Sequence, residues 1–110
     1  MAELEAERPA GLRIETLEDP PGGVPVITLA GDLDMSNAET LKRAVSTLTA
    51  SRPPSLVFSV GDLRFIDSAG IAVMLAAASE VSDVRLREPT AAVRRVVELT
   101  GLSHVLQIES

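Results

Sequence analysis

The residues of this chain best suited to chemistry lie in the stretch RFIDSAGIAVML, residues 64–75. Asp67, Ser68 and Gly70 bring a carboxylate, a hydroxyl and a glycine together between an apolar strand-like segment and an apolar helix-like segment. Serine at a helix start is commonly a cap that accepts a hydrogen bond from a free backbone N–H, a role that Asp67 could fill equally well. A phosphate on Ser68 would also be tolerated there, because free amides and the helix dipole favour negative charge. Spacing alone leaves both interpretations of Ser68, cap and phosphoacceptor, open.

A Ser-His-Asp hydrolase is a third interpretation of the same serine, because His104 and several aspartates accompany it. A nucleophile elbow requires glycine two residues before the serine, and Ile66 occupies that position. His104 follows Gly101, which is typical of a surface or helix-end residue. The sequence contains neither G-x-x-x-x-G-K nor G-x-G-x-x-G, so no nucleotide-binding loop is indicated. We therefore expect no catalytic residues and no cofactor.

The composition argues against several other functions. The 110 residues carry a formal net charge of −6 and only 2 Phe as aromatics, whereas nucleic-acid binders need a basic stripe and usually stacking aromatics. Cysteine is absent and histidine occurs once, so neither a disulfide nor a metal site is expected. The N-terminus is acidic where a secretory signal would be basic, and the longest apolar stretch, residues 69–78, is about half of a membrane-spanning helix. We expect a cytoplasmic protein that binds neither nucleic acid nor membrane.

The strands that must position Ser68 follow from hydropathy periodicity. Residues 12–17 alternate apolar and polar side chains, and the turn formers of residues 18–23 separate them from the more continuously apolar residues 24–31, which predicts an antiparallel hairpin. Residues 24–31 and 55–60 are apolar enough for strands buried on both faces, with a short polar turn at 61–62. The predicted strands are residues 12–17, 24–31, 55–60, 83–88 and 105–109.

Helices are predicted between these strands. The first begins near Asn37, because Ser36 and Glu39 match a capping box and apolar residues then recur at helical spacing. The second spans about residues 68–79. The third begins at Pro89 and is closed by Gly101, with proline just inside its start and glycine just past its end.

The resulting order, β-β-α-β-α-β-α-β, predicts one α/β domain over residues 11–110, with about three helices and a mainly parallel mixed sheet whose first strand is antiparallel. Residues 1–10 are charged and contain Pro9, so we expect a flexible N-terminal tail. Residues on the apolar faces of the proposed elements are expected in the core: Val26, Leu29, Val57, Val73 and Val97.

Two acidic loops should meet at one edge of this sheet. Asp32 and Asp34 follow one predicted strand and Asp67 follows the next, each at a carboxyl end, where the functional loops of open α/β sheets gather. The helix macrodipole also favours acids at these positions, so each acid alone has a structural explanation. Their convergence is more informative than either loop alone.

Four segments carry a resemblance to a known family: residues 27–45 with their G-D-L-D turn, residues 56–75 with their D-S-x-G loop, residues 88–102 with their terminal Gly-Leu, and residues 104–110. On these segments the sequence resembles the STAS family, and within it the bacterial anti-sigma factor antagonists. The resemblance implies an antagonist that, when unphosphorylated, binds an anti-sigma factor serine kinase of GHKL type and so releases the sigma factor. The kinase would phosphorylate the loop serine, and a PP2C-type phosphatase would reset it.

Carried over by position, the resemblance implies that Ser68 is phosphorylated and that the protein is a kinase substrate and not an enzyme. It implies that the partner contacts the loops containing Asp32, Asp34, Asp67, Ala69 and Gly70. STAS-like proteins also include subunits without a switch, in phospholipid-transport ATPase complexes or stress-sensing scaffolds, so this alternative stays open. In two places the chain departs from the family pattern: Ala69 replaces a frequent second serine, and the segment between residues 76 and 83 is several residues shorter than usual.

Overall fold

The computed structural model describes residues 3–7, 11–18 and 23–109. The strands among them are β1 Glu3–Glu7, β2 Leu12–Glu18, β3 Pro25–Leu33, β4 Ser55–Ile66, β5 Asp83–Arg87 and β6 Gln107–Glu109. The helices are α1 Ala38–Thr49, α2 Ser68–Glu80 and α3 Ala91–Leu99, and a short 3-10 helix spans Leu102–His104.

The strands form one sheet in the order β1-β2-β3-β4-β5-β6. Antiparallel pairing joins β1 to β2 and β2 to β3, whereas β3 to β6 are parallel neighbours. The predicted α/β fold class is therefore confirmed, including the antiparallel pairing of residues 12–17 with residues 24–31. Most of the turn predicted between these two strands, residues 19–22, lies outside the described residues.

The structure shows an edge strand, β1, within residues 1–10, whereas the sequence predicted a flexible tail there. This strand pairs antiparallel with β2, with Glu7 opposite Ile14. This pairing satisfies backbone groups that would otherwise be left open along β2. The alternation of polar and apolar residues in E-L-E-A-E is the sequence signal from which the strand could have been found.

All three helices pack on the same face of the sheet. One continuous core joins the alternate, inward-facing residues of the strands, such as Leu29 and Phe58, to the inner faces of α1, α2 and α3. The opposite face, which we call the open face, carries the remaining strand residues and no helix of the described chain. The domain is thus a helical layer on a sheet layer, built almost entirely from Val, Leu, Ile and Ala.

Four of the five predicted core residues are buried, and Val26 is the exception. Ile27 and Leu29 point toward the helices, so the alternation of the strand turns Val26 to the open face, where it is half-buried. Val57 is buried on the open face, opposite Val26 in the ladder. The expectation that β3 is buried on both faces is wrong, because helices cover only one face.

The ends of β3 and β4 extend further than the sequence predicted. The polar pair at residues 61–62 is part of β4 and forms no turn. The ladder shifts register there, from Thr28 opposite Ser59 to Ala30 opposite Asp62, as a β-bulge does. Beyond the bulge, Leu63 reaches the core, so burial holds the strand together up to the start of α2.

The start of α3 also differs from the prediction, because Pro89 lies outside the helix. Thr90 is the N-cap: its hydroxyl oxygen accepts a hydrogen bond from the Val93 N–H at 3.3 Å and donates one to the Leu63 carbonyl at 3.0 Å. At the other end Gly101 adopts a left-handed conformation with φ 80°, which confirms the predicted helix end.

Candidate functional site

Asp67 caps α2, and Ser68 is the first residue of that helix. One oxygen of Asp67, Oδ1, accepts hydrogen bonds from the Ala69 N–H at 2.9 Å and the Gly70 N–H at 3.3 Å. The Ser68 side chain is exposed and makes no hydrogen bond within the described part of the chain. The cap interpretation of Ser68 is therefore wrong, because its neighbour performs that role and leaves the hydroxyl available.

Close packing fixes the start of α2 on the sheet. Gly70 is buried, and a Cβ atom at this position would lie 2.6 Å from Leu33 Cγ and 2.9 Å from Ile66 Cγ1. The Asp67 N–H donates to the Leu33 carbonyl at 3.1 Å, which ties the helix start to the end of β3. Glycine at position 70 thus allows α2 to approach the strand ends closely, and Ser68 is held on a rigid support.

The first acidic loop, residues 34–37, is stabilised by its own side chains. The buried Asn37 accepts the Asp34 N–H at 2.9 Å through Oδ1 and donates from Nδ2 to the Asp32 carbonyl at 2.9 Å. Asp34 Oδ1 in turn accepts the Ser36 N–H at 2.9 Å and the Ser36 hydroxyl at 2.5 Å. The helix start near Asn37 is as predicted, but the capping box is wrong, because the Ser36 hydroxyl binds Asp34 and caps no helix amide.

A hydrogen bond joins the two acidic loops, which the sequence predicted to be neighbours. The Met35 N–H donates to Asp67 Oδ2 at 3.2 Å. Asp32 lies further back, within β3 and opposite Phe65, and its carboxylate is 3.6 Å from Arg64 Nε. Of the predicted acids, Asp67 therefore lies at the junction, Asp34 is bound within its own loop, and Asp32 belongs to the strand.

The outer face of α2 is apolar. Ser68, Ala72 and Leu75 follow one another at helical spacing and are all exposed, and α2 carries no charged residue before Glu80. Met35 is 81% exposed and Leu75 is 46% exposed. We call the set Met35, Ser68, Ala72 and Leu75 the Ser68 surface.

The model of one protein family, described as Mlab, STAS domain, matches residues 17–108. The chain belongs to the STAS domain family. It is 29% identical over 92 residues to the anti-sigma-F factor antagonist RsfB of Mycobacterium tuberculosis, covering 80% of this chain and 75% of that protein.

Solved structures show the same fold as this STAS domain. An anti-sigma factor antagonist from Mycobacterium paratuberculosis superposes with a TM-score of 0.74 at 23% identity, covering 99% of this chain and 86% of that one. The anti-sigma factor antagonist SpoIIAA in its unphosphorylated form gives a TM-score of 0.72 at 21% identity, covering 98% and 89%. The Bacillus SpoIIAA structure in its phosphorylated form gives 0.65 at 20% identity, covering 98% and 92%.

Two residues of the site in this STAS domain were not predicted from the sequence. Asn37 organises the first loop. Its signal in the sequence is its position three residues after Asp34, from which an amide side chain can bond an earlier backbone group. Met35 has no signal in the sequence, because a single apolar residue in a polar loop has no periodicity. Only its exposure and its backbone contact with Asp67 distinguish it.

On the open face, the STAS domain carries a charge network far in sequence from Ser68. Arg85 donates to Asp83 at 3.2 Å and to Glu109 at 3.0 Å, and Arg87 donates to Glu109 at 3.1 Å. Hydrogen bonds from Arg85 and then Ser55 lower the pKa of Asp83, and those from Arg85 and then Arg87 lower the pKa of Glu109. Hydrogen bonds to Asp83 and then Glu109 raise the pKa of Arg85, so these charges satisfy one another within the chain.

Two further properties bear on function. Within residues 3–7, 11–18 and 23–109, no three His, Cys, Asp or Glu residues are grouped so that they could hold a metal ion. The helices of that same part of the chain are too short or too polar to cross a bilayer.

Proposed function

We propose that this STAS domain is an anti-sigma factor antagonist that works by partner switching. Unphosphorylated, it binds an anti-sigma serine kinase of GHKL type through the Ser68 surface, and the sigma factor is released. The kinase transfers a phosphoryl group to Ser68, the complex dissociates, and a PP2C-type phosphatase restores the hydroxyl. The domain acts in the cytoplasm, as a substrate of the kinase and not as an enzyme.

One observation carries this proposal: a serine hydroxyl that is exposed, and that has no hydrogen bond to the described residues, stands at the start of a helix whose outer face is apolar. Exposed apolar area on a helix is typical of a surface that a protein partner covers. A hydroxyl at the margin of such a surface is accessible to a bound kinase. The names of the relatives agree with this use, since RsfB is an anti-sigma-F factor antagonist and SpoIIAA has been solved with and without phosphate.

Charge provides the switch in this proposal. A phosphoserine carries about −1.5 to −2 charges at neutral pH. On Ser68 that charge would stand beside Asp67, whose Oδ1 already accepts hydrogen bonds from the Ala69 and Gly70 amides. The phosphate would therefore point to solvent or to the partner, where burial of an unpaired charge is unfavourable. Because Asp67 and not Ser68 caps α2, phosphorylation leaves the helix start intact.

The residues that the sequence predicted to bind the partner have different roles in this proposal. Asp67, Ala69 and Gly70 build the helix start that presents Ser68, and the contact of Asp67 with Met35 brings the first loop beside it. Asp32 and Asp34 supply negative charge in the neighbouring strand and loop. We propose that these residues shape the partner-binding edge and that only Ser68 is chemically modified.

The test begins with capture of the partner. The immobilised protein is incubated with native lysate, with and without ATP, and the captured kinase is identified by mass spectrometry. Wild type, Ser68→Ala and Ser68→Glu are then titrated against that kinase by calorimetry, and the ATP-treated protein is mapped for phosphate. We expect Ser68→Ala to hold the kinase in the presence of ATP, and Ser68→Glu to bind about ten-fold or more weakly.

A matched control separates charge at the site from charge in general. Ser46→Glu adds the same charge on the exposed outer face of α1 and should bind like wild type. Circular dichroism should show the same fold and melting behaviour for all variants. Equal binding of Ser68→Glu and Ser68→Ala, or phosphate only at other residues, contradicts the switch. Unfolding of Ser68→Glu would instead mean that the serine is structural.

A second candidate is a subunit without a switch, in a phospholipid-transport ATPase complex or a stress-sensing scaffold. The apolar outer face of α2 favours it as well, because that face would serve a partner that is not a kinase. The same capture experiment distinguishes the two. A non-kinase partner that binds Ser68→Ala and wild type equally, with ATP making no difference, supports the second candidate.

A further inference from the structure

Met35 is the most exposed large apolar side chain in the described part of the chain, at 81%. Its exposure does not come from a loosely held loop. The flanking residues are tied by the hydrogen bonds of Asp34 to Ser36 and of Asn37 to Asp34 and Asp32. The fold therefore holds an apolar side chain out toward solvent on a well-organised turn, although burial would be favourable.

Asp67 uses its two oxygens for two different elements. Oδ1 caps α2 through the amides of Ala69 and Gly70, and Oδ2 accepts the Met35 N–H at 3.2 Å. The carboxylate that sets the direction of the Ser68 helix thus also sets the position of the Met35 backbone. A partner that binds at Ser68 meets Met35 in a fixed relation to the serine.

We infer that Met35 is a specificity-determining contact for the partner kinase and that Asp67 is the residue that positions it. The inference rests on the proposed function. Met35 enters an apolar pocket of the kinase beside the place where the kinase receives the Ser68 hydroxyl. Methionine suits such a contact because its unbranched thioether chain adapts to an irregular pocket, and a few well-buried anchors dominate most interfaces.

The side chain of Met35 is tested first, with the captured kinase as the probe. Met35→Ala should weaken the Kd about ten-fold or more, and Met35→Leu should restore most of the affinity because it refills the pocket. Leu99→Ala is the matched control: Leu99 is 79% exposed but lies at the end of α3. It should leave the Kd unchanged.

The positioning role of Asp67 is tested with Asp67→Asn. Asparagine keeps one carbonyl oxygen to cap α2, so the helix and the melting temperature should be retained. It lacks the second acceptor for the Met35 N–H, so exchange of the Met35 amide with deuterium should speed up about ten-fold in the free protein. In a double-mutant cycle, Asp67→Asn should weaken kinase binding about five-fold in wild type and by less than about two-fold in Met35→Ala.

The experiments test the Met35 contact and the positioning role of Asp67 separately. A Met35→Ala protein that binds as tightly as wild type overturns the contact, while a Ser68-dependent interaction would still stand. Unchanged exchange of the Met35 amide in Asp67→Asn, or fully additive effects in the cycle, overturns the positioning role. If wild type captures no kinase, the proposed function and the partner role of Met35 both fail, whereas the exchange experiment still decides the link between Asp67 and Met35.

Discussion

The two neighbouring helices α1 and α2 pack on the sheet in the same way, but their exposed faces differ in charge. They are 12 and 13 residues long, contact each other and lie on the same face of the sheet. Their inner faces are alike: Leu41 and Val45 in α1, and Val73 and Met74 in α2, are all buried in the common core. Both helices therefore contribute to the stability of the fold in the same way, by burying an apolar face.

Their outer faces differ. The exposed residues of α1 are Glu39, Lys42, Arg43, Ser46 and Thr47, whereas those of α2 before its final residue are Ser68, Ala72, Leu75, Ala76 and Ser79. A surface helix of a globular protein normally carries charge on its solvent face, as α1 does. Folding gives no reason for the uncharged face of α2, so the difference points to binding.

The inner faces should be equivalent. Leu41→Ala in α1 and Met74→Ala in α2 each remove a fully buried side chain. Each should lower the free energy of unfolding by about 2–5 kcal/mol, because transfer energy and packing are both lost. Urea denaturation followed by circular dichroism measures this. If Met74→Ala is as stable as wild type, α2 is not part of the core and the comparison with α1 is wrong.

A side chain added at Gly70, at the start of α2, should destabilise the protein more than one added at Gly61, where there is more space. A Cβ at Gly70 meets Leu33 at 2.6 Å, whereas a Cβ at Gly61 meets nothing closer than 3.7 Å. Gly70→Ala should lower the free energy of unfolding by about 1–3 kcal/mol through overpacking, although alanine is the better helix former. Gly61→Ala should change it far less in the same denaturation experiment. Equal stability of the two variants would contradict the close contact.

The outer faces should differ in binding and not in stability. Leu75→Glu in α2 and Ser46→Glu in α1 place the same charge at exposed helical positions. Leu75→Glu should weaken binding of the captured partner about ten-fold, equivalent to about 1.4 kcal/mol, whereas Ser46→Glu should have no effect. Both should melt near wild type. A loss of affinity with Ser46→Glu as large as with Leu75→Glu would mean that general charge, not the α2 face, controls binding.

The smallest effect on stability is expected from the charge network on the open face, which is a control for both helices because it lies on the other side of the sheet. Asp83 and Glu109 have folded-state pKa values below their ordinary values of 3.8 and 4.5. Their ion pairs with Arg85 therefore add stability that is present above about pH 4.5 and is lost as the pH falls through the lowered folded-state values. Arg85→Gln should be slightly less stable than wild type at neutral pH, and the two should converge in acid.

Thermal unfolding between pH 2 and pH 7 measures this convergence. Because the network lies on the face opposite the helices, partner binding by Arg85→Gln should equal that of wild type. Curves that stay parallel through the acid range would show that these pairs do not contribute, and a loss of partner affinity would extend the binding surface beyond α2.

The sequence by itself determined the order of the elements from β2 onward and the position of the candidate site. Apolar periodicity and turn formers are local properties, so they predicted β2 to β6 and the three helices closely, except for the C-terminal half of β4, residues 61–66. The convergence of the loops that carry Asp34 and Asp67 also followed from sequence. Carboxyl ends of neighbouring parallel strands must meet at one sheet edge, whatever the detailed packing.

Only the tertiary structure decided which of two similar residues takes a given role and which local features the packing produces. Ser68 and Asp67 are both good caps, and only the geometry at the end of β4 gave the amides to Asp67. Val26 and Ile27 are equally apolar, and only the one-sided helical layer turned Ile27 inward. Similarly, no local pattern around residues 61–62 reveals the bulge in β4 or the burial of Leu63 beyond it. The exposure of Met35 and its backbone hydrogen bond to Asp67, 32 residues away in the chain, are likewise visible only in the fold.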